Sequence, residues 1–550
     1  YCMPDPTKVW PWPSYSSRIW RDVVKKCLAE LVAELKRYGL DKRIVGIHTF
    51  GYQDGQFSAT CIDSSPAAQA EYAEFLKEGG HAATNYSFFA MQTGFRAQEE
   101  FAREFKRLLG KKSIAIMWCE SPFKGRRASS WDVGEFLKSD AMDILVAQPC
   151  YVHRLPGLPG GNRLPTASFH LHGKLYFEEL DFRTYAALEP GWQSPASVAG
   201  VGESRDFAMW QTVFRKHAGA MVAQRMGWWF YDMIGGWFAA PEIVGDIDTA
   251  LKSYAQALAT KQPSPWKPGV AVVVDEAGAF GWAGGERFLP RPLDFSYGEQ
   301  LFLLERAGVP FDVYLYADVA ANPELLKPYQ LVTLGLMRKY DAERQRLVKS
   351  WTSAGKTVLH LPRCGELGGL EEATGMAMSA DETADHHVTA EPDFDCEVNG
   401  LQYHDMLRNC GKTEFPPPQL ADWPRNSLVE APGVRVLARY TKDGAPAIAE
   451  RWAGRGRNIV FCEAGGVSAG AFNKIARESG AYAALPPDVA QIDMNGDFIS
   501  VHALADFETE LALPYPCKVV NLKSGREEPT CDGMLPLAMS TGETCQFALK

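Results

Sequence analysis

The chain has 550 residues, with 57 Lys and Arg against 67 Asp and Glu, and so a formal net charge of −10. That length predicts several domains, and 46% apolar with 23% charged residues excludes global disorder. No apolar run approaches the ~20 residues that span a bilayer, and the acidic balance lacks the clustered Lys and Arg that nucleic-acid binding needs, so neither a membrane nor a nucleic acid is expected as a partner.

The first 20 residues lack a charged start followed by an apolar core, so no signal peptide is read there, and the chain does not begin with Met. The 12 Cys include no C-x-x-C pair, which argues for free thiols rather than a zinc cluster or a dense disulfide framework.

Along the chain, residues 16–38 read as a helix, because Ile19, Val23, Val24, Cys27, Leu28, Leu31, Val32 and Leu35 recur at spacings of three and four. RIVGIHTF (43–50) then reads as a strand buried on both faces. A helix over 88–109 leads into the strand SIAIMWC (113–119), and a shorter one over 131–138 into MDILVAQ (142–148). HGKLYFEE (172–179) is the next strand-like run, followed by a helix over 205–225, the strand GWWFYDM (227–233) and a helix over 241–258. Strands alternating with helices predict parallel βαβ units. Polar residues cluster just after the strands: Gln53 and Asp54, Glu120, Gln148, Glu178 and Glu179, Asp232. In a (β/α)8 barrel that edge carries the active site, although only five strands can be counted, so the region is either such a barrel begun upstream of Tyr1 or an open sheet.

A Pro-rich stretch at 261–269 reads as a linker. A second alternation follows, with strands at 269–276, 310–316, 329–337 and 356–362 and helices at 297–307 and 341–354. Residues 438–463 and a helix at 471–478 complete what looks like a doubly wound α/β domain. From about residue 491 the pattern becomes period-two strands with turns, predicting a small antiparallel β-sandwich. The expected modules are 1–262, 267–485 and 490–550.

Three constellations could carry chemistry. In the run from Lys174 to Thr184, Glu178, Glu179 and Asp181 follow a buried strand with Arg183 nearby, and an Arg beside a carboxylate holds it ionised, as a nucleophile requires. A salt-bridged loop of surface acids fits the same spacing. In the turn Gln53-Asp54-Gly55-Gln56, Asp54 could be a general acid in an apolar surround, or simply part of an Asp-Gly turn. In the run from Gly227 to Phe238, Trp228, Trp229 and Trp237 gather around Asp232, either as core or as a wall against which a sugar ring stacks. Glu120 is a weaker candidate of the same kind. No cofactor is expected. His170 and His172 lack a third metal ligand, the Gly-Gly pairs match neither a phosphate loop nor a dinucleotide fingerprint, and Cys462 lacks the His-Glu partners of an amidotransferase nucleophile.

These runs resemble the β-galactosidases of glycoside hydrolase family 42 and their unclassified relatives. The resemblance is strongest at Glu179-Leu180-Asp181-Phe182-Arg183-Thr184, which is similar to the family's seventh-strand motif of an acid followed by x-Asp-x-Arg-Thr, and it implies that Glu179 is the nucleophile. The segment from Trp228 to Met233 is similar to the eighth-strand aromatic segment. Residues 267–482 look like the family's amidotransferase-like trimerisation domain, which implies a homo-oligomer, a trimer. Two departures stand out. The family's acid/base Glu follows an Asn, whereas this turn offers only Asp54, with Gln56 marking a possible lost acid. The family's zinc-binding Cys cluster is absent.

The resemblance implies a retaining exo-β-glycosidase, β-galactosidase-like, with a carbohydrate substrate. Glu179 attacks, Asp54 is the acid/base, and Gln53, Gln56, Glu120, Arg183, Trp228, Trp229, Asp232 and Trp237 contact the sugar. A catalytically weak glycan-binding protein on a degenerate hydrolase scaffold is the alternative, and an assembly protein is a third.

Overall fold

In the computed structural model the described residues are 13–49, 63, 65–77, 86–110, 112–118, 133–149, 154–160, 164–187, 206–232, 235–259, 264–276, 300–335, 337, 340–361, 369–381, 386–400, 425–462 and 466–550. They fall into two compact units. The first comprises 1–148, 168–177 and 276–290, and the second 149–167, 178–275 and 291–550.

The helix expected at 16–38 runs Arg18–Arg37, opened by Ser17, whose side chain accepts from Trp20 N–H. Its buried residues are Val24, Leu28 and Val32, a stripe at i, i+4, i+8, whereas Ile19, Val23 and Leu31 are exposed. The apolar face read from the sequence is therefore wider than the face that packs. Strands β1 (Gly46–Thr49), β2 (Ile114–Trp118) and β3 (Ile144–Ala147) pair in parallel in that order. Each is short, but only β3 is buried along its whole length; β2 is partly covered, and β1, expected to be buried on both faces, is buried only at Thr49. β4 (Leu175–Leu180) and β5 (Gly227–Phe230) extend the order to a five-stranded sheet, β1-β2-β3-β4-β5.

In the second unit, the helices Phe207–Ala223 and Pro241–Ala257 pack on β4 and β5 through one apolar layer that includes Leu180, Trp210, Val213, Phe214, Ile243 and Tyr254. The first of these helices is covered on its far side as well. A Cβ added at Gly219 would stand 2.3 Å from Ser500 Oγ and 2.4 Å from Gln546 Nε2, so only glycine permits this approach.

The second alternation forms one eight-stranded sheet. Its parallel core is β6 (Val270–Val274), β7 (Asp312–Leu315), β8 (Leu331–Gly335) and β9 (Thr357–His360), joined to β15 (Gly456–Phe461) in the order β15-β9-β8-β6-β7. Three antiparallel strands extend one edge: β11 (Val388–Ala390), β13 (Val434–Tyr440) and β14 (Pro446–Ala453). β10 (Met378–Asp381) pairs separately with β12 (Arg425–Leu428).

The C-terminal region is antiparallel. β16 (Ala490–Met494), β17 (Phe498–Ala503), β22 (Thr544–Leu549), β19 (Val519–Asn521) and β20 (Glu527–Glu528) form one sheet. β18 (Phe507–Ala512) and β21 (Met534–Met539) form a second, two-stranded one. Leu511, Leu535, Leu537 and Phe547 are among the residues of their shared core. Among the described residues no helix is long and apolar enough to cross a membrane.

Candidate active site

Successive residues of a strand point to opposite faces, and along β4 this separates two adjacent glutamates. Leu180 enters the apolar layer beneath the helices. Glu178, two residues before it, is on the same face, and His217 of the helix Phe207–Ala223 donates from Nδ1 to its Oε1 at 2.8 Å. Both side chains are buried. Glu179 points the other way and is also buried, and there the Trp229 Nε1–H donates to its Oε2 at 3.2 Å. β5 alternates in step. Trp228 and Phe230 pack edge-on or tilted against Phe214, and Trp228 also meets Tyr254 edge-on, so both lie on the helix side. Trp229 is left on the face of Glu179.

Burial of a carboxylate costs several kcal/mol unless charge or hydrogen bonds compensate it. Behind the sheet the compensation is His217. Its own pKa is pushed down by burial, opposed by the neighbouring Glu178 charge, so it stays neutral at physiological pH and donates only through Nδ1–H.

Past the end of β4 the chain is fixed tightly. Asp181 pairs with Arg154, whose side chain has no exposed surface. Asp181 N–H donates back to Glu179 O at 3.2 Å. The guanidinium of Arg183 lies 5.3 Å from the centre of the buried Trp237 ring, within cation–π range. Thr184 Oγ1 donates to Trp237 O. Asp232 holds the following turn, Oδ1 accepting from Gly235 N–H at 2.6 Å and Oδ2 from Trp237 N–H at 2.9 Å.

The sequence-derived candidates therefore divide. Glu179 and Trp229 come together on one face. Arg183, Asp232 and Trp237 form a connected wall just beyond the strand ends. Trp228 lies in the layer behind. Gln53, Asp54, Gln56 and Glu120 lie outside the described residues. What sequence reasoning missed is the support behind the strand: Lys216 and His217, which with Arg215 interrupt an otherwise apolar helical stretch, and Arg154. The interruption of that stretch by Arg215-Lys216-His217 is the signal that could have found the first two.

Among the described residues no three His, Cys, Asp or Glu side chains are grouped as metal ligands. Cys462, 3% exposed, has its thiol pKa raised by burial, as suits an inert core residue.

No protein-family model matches the chain, and no curated protein matches its sequence. Solved structures do match its fold. The β-galactosidase from Bacillus circulans sp. alkalophilus superposes with a TM-score of 0.61 at 12% identity, over 98% of this chain and 83% of that one. A family 42 β-galactosidase from G. stearothermophilus gives 0.59 at 12% identity, over 98% and 82%. The α-L-fucosidase isoenzyme 2 from Paenibacillus thiaminolyticus gives 0.54 at 12% identity, over 98% and 82%. The chain thus resembles the family 42 β-galactosidases remotely and along nearly its whole length, and it has a fold found in glycoside hydrolases. Because the matched proteins include an α-L-fucosidase, the fold by itself selects no sugar.

Proposed function

We propose that the chain is a retaining exo-β-glycosidase of β-galactosidase type, with Glu179 as nucleophile and Asp54 as acid/base. One observation carries the reading. Glu179, next to last in β4, is buried on the face away from the helices, and an indole N–H is aimed at its carboxylate. Active sites of (β/α)8 barrels lie at such strand ends, and β1 to β5 read as consecutive strands of one. In this reading residues 1–262 are the catalytic domain, 267–485 an amidotransferase-like trimerisation domain and 490–550 a C-terminal β-sandwich domain.

The carboxylate of Glu179 attacks the anomeric carbon while the bond from that carbon to the leaving oxygen breaks, and Asp54 gives that oxygen its proton. Asp54, now ionised, takes a proton from water as the water displaces Glu179. The two carboxyl groups must then stand ~5–5.5 Å apart, against ~6.5–9.5 Å in an inverting enzyme. Trp229, Trp237 and Arg183 wall the sugar site, and Trp228 braces β5 from the helix side.

The test is the stereochemistry of turnover. Hydrolysis of 4-nitrophenyl β-D-galactoside, followed by proton NMR, should release the β-anomer first. Glu179→Gly should be inactive until azide is added, and azide, entering from the vacated face, should yield the α-glycosyl azide. Initial release of the α-anomer, or unimpaired turnover by Glu179→Gly, overturns the proposal. The missing Asn-Glu pair in the 53–56 turn favours a second reading, a glycan-binding protein, which saturable sugar binding without turnover on a broad glycoside panel would support.

A further inference from the structure

The loop 154–160 is held by groups from separate stretches of the chain. Lys216 Nζ donates to Leu158 O at 2.8 Å and to Leu155 O at 3.4 Å. Gly157 N–H donates to His502 Nε2 of β17 at 3.0 Å, and Gly160 N–H to Gln491 Oε1 of β16 at 2.8 Å. Gly157 has φ +74°, and a Cβ there would stand 2.8 Å from Thr541 Cγ2, so the loop backbone lies directly on the turn before β22. The first residue of this loop is Arg154, the partner of Asp181.

Each anchor works in one direction only. A backbone N–H can only donate, so His502 must accept at Nε2, and its proton sits on Nδ1, which faces Thr544 Oγ1 at 2.9 Å. A protonated ring would turn a donor on Gly157. Burial, with Lys216 and His217 nearby, keeps the ring neutral. The Gln491 amide is oriented in the same way: its Oε1 accepts from Gly160, and its Nε2 donates to Asp493 Oδ2 at 2.7 Å.

We infer that His502 and Gln491 are positioning residues for the strand end that carries Glu179. The C-terminal sheet fixes the loop 154–160, the loop fixes Arg154, and Arg154 fixes Asp181, whose own N–H is bonded to Glu179 O. Displacement of a reacting group by ~1 Å can cost ~100-fold in rate, so support of this kind is consequential although none of it touches substrate. The catalytic consequence rests on the proposed role of Glu179, whereas the mechanical linkage does not.

The test compares His502→Leu and Gln491→Leu with the conservative His502→Gln, whose amide oxygen can still accept from Gly157, all in the full chain. Hydrogen–deuterium exchange of peptides covering 154–160 and 178–184 should accelerate about tenfold in both windows for the Leu variants and return towards the parent for His502→Gln. Acceleration confined to 154–160 overturns the linkage. On 4-nitrophenyl β-D-galactoside, kcat should fall about tenfold or more with KM within about twofold, and His502→Gln should recover it. An equal fall in Leu537→Ala, a core change in the same C-terminal region, would mean a merely structural effect and would also overturn it. A parent protein that turns over no glycoside sinks the glycosidase reading, and the exchange result then decides the linkage alone.

Discussion

Glu178→Gln and Glu179→Gln make one chemical change, carboxylate to carboxamide, on the two faces of β4. At Glu179 the amide cannot attack a sugar carbon, so kcat should fall about 10³-fold or more, about 4 kcal/mol of transition-state stabilisation. The fold should hardly notice, because the Trp229 N–H still finds an amide oxygen where the carboxylate stood 3.2 Å away. The loss is the difference between a charge-assisted and a neutral hydrogen bond, about 1 kcal/mol. At Glu178 the same arithmetic applies to stability, since His217 Nδ1–H at 2.8 Å keeps an acceptor, but kcat should stay within about threefold. Glu178→Leu strands that N–H in an apolar layer and should cost about 1–3 kcal/mol. In a cooperative unit of 150–250 residues each kcal/mol lowers the unfolding midpoint by about 2–4 °C. Steady-state kinetics on an aryl β-galactoside and thermal unfolding of the three variants are the assay. Equal loss of kcat in the two Gln variants, or a larger loss for Glu178→Gln, would refute the assignment of the two faces.

Trp229→Phe removes the indole donor to Glu179 and should lower kcat by about tenfold, as a hydrogen bond to a charged group warrants; unchanged kcat would take Trp229 out of the site. His48, His217, His360 and His502 have pKa values pushed down by burial, to about 4 for His360, so below about pH 6.5 the unfolded chain binds protons there more readily than the folded chain does. Asp493, its carboxyl pushed up to about 7 by burial, works in the opposite sense, holding a proton when folded that the unfolded chain has lost. Four histidines against one aspartate leave a net uptake of protons on unfolding near pH 5 and stability falling as pH drops from about 6.5 to 4; calorimetry in buffers of different ionisation enthalpy measures it, and net proton release would contradict it. Gly219→Ala ordinarily favours a helix by about 1 kcal/mol, but here its Cβ meets Ser500 Cβ at 2.9 Å, and overpacking of about 1–3 kcal/mol should win. A raised unfolding midpoint for that variant would show that the helix does not press on the C-terminal sheet as described.

The alternation of helices and strands was legible because buried parallel strands announce themselves as short apolar runs between turns. RIVGIHTF, SIAIMWC and MDILVAQ contain β1, β2 and β3, each trimmed at its ends. Strand faces were not legible. The last three residues of LYFEEL are buried on both faces, so no polar–apolar alternation distinguishes Glu178 from Glu179, and the family motif selected Glu179 where periodicity could not. The three tryptophans read as one sugar-binding group because spacing in sequence does not encode the pleat: Trp228 and Trp229 are neighbours in the chain and sit on opposite faces of β5. The helix Phe207–Ala223 conceals its role for a related reason. Covered on two sides, it is buried from Val213 through Ala223 apart from Arg215, so no apolar stripe shows which residues meet which neighbour. Two anchors of the loop 154–160, His502 and Gln491, come from more than 300 positions away in the chain, and local pattern cannot report them.

The opposed glutamates also act as a key for strand register. If β4 slid by one residue so that Glu178 faced the site, Phe177 would stand opposite His217. If it slid the other way, Glu179 would satisfy His217 and Leu180 would occupy the reaction face. Of these three registers only the observed one places one carboxylate at His217 and the other at the reaction position, so the histidine behind the sheet proofreads the strand in front of it. A single-residue insertion or deletion between the turn at Gly173 and Glu178 should accordingly be rejected by the fold before any loss of catalysis could be measured.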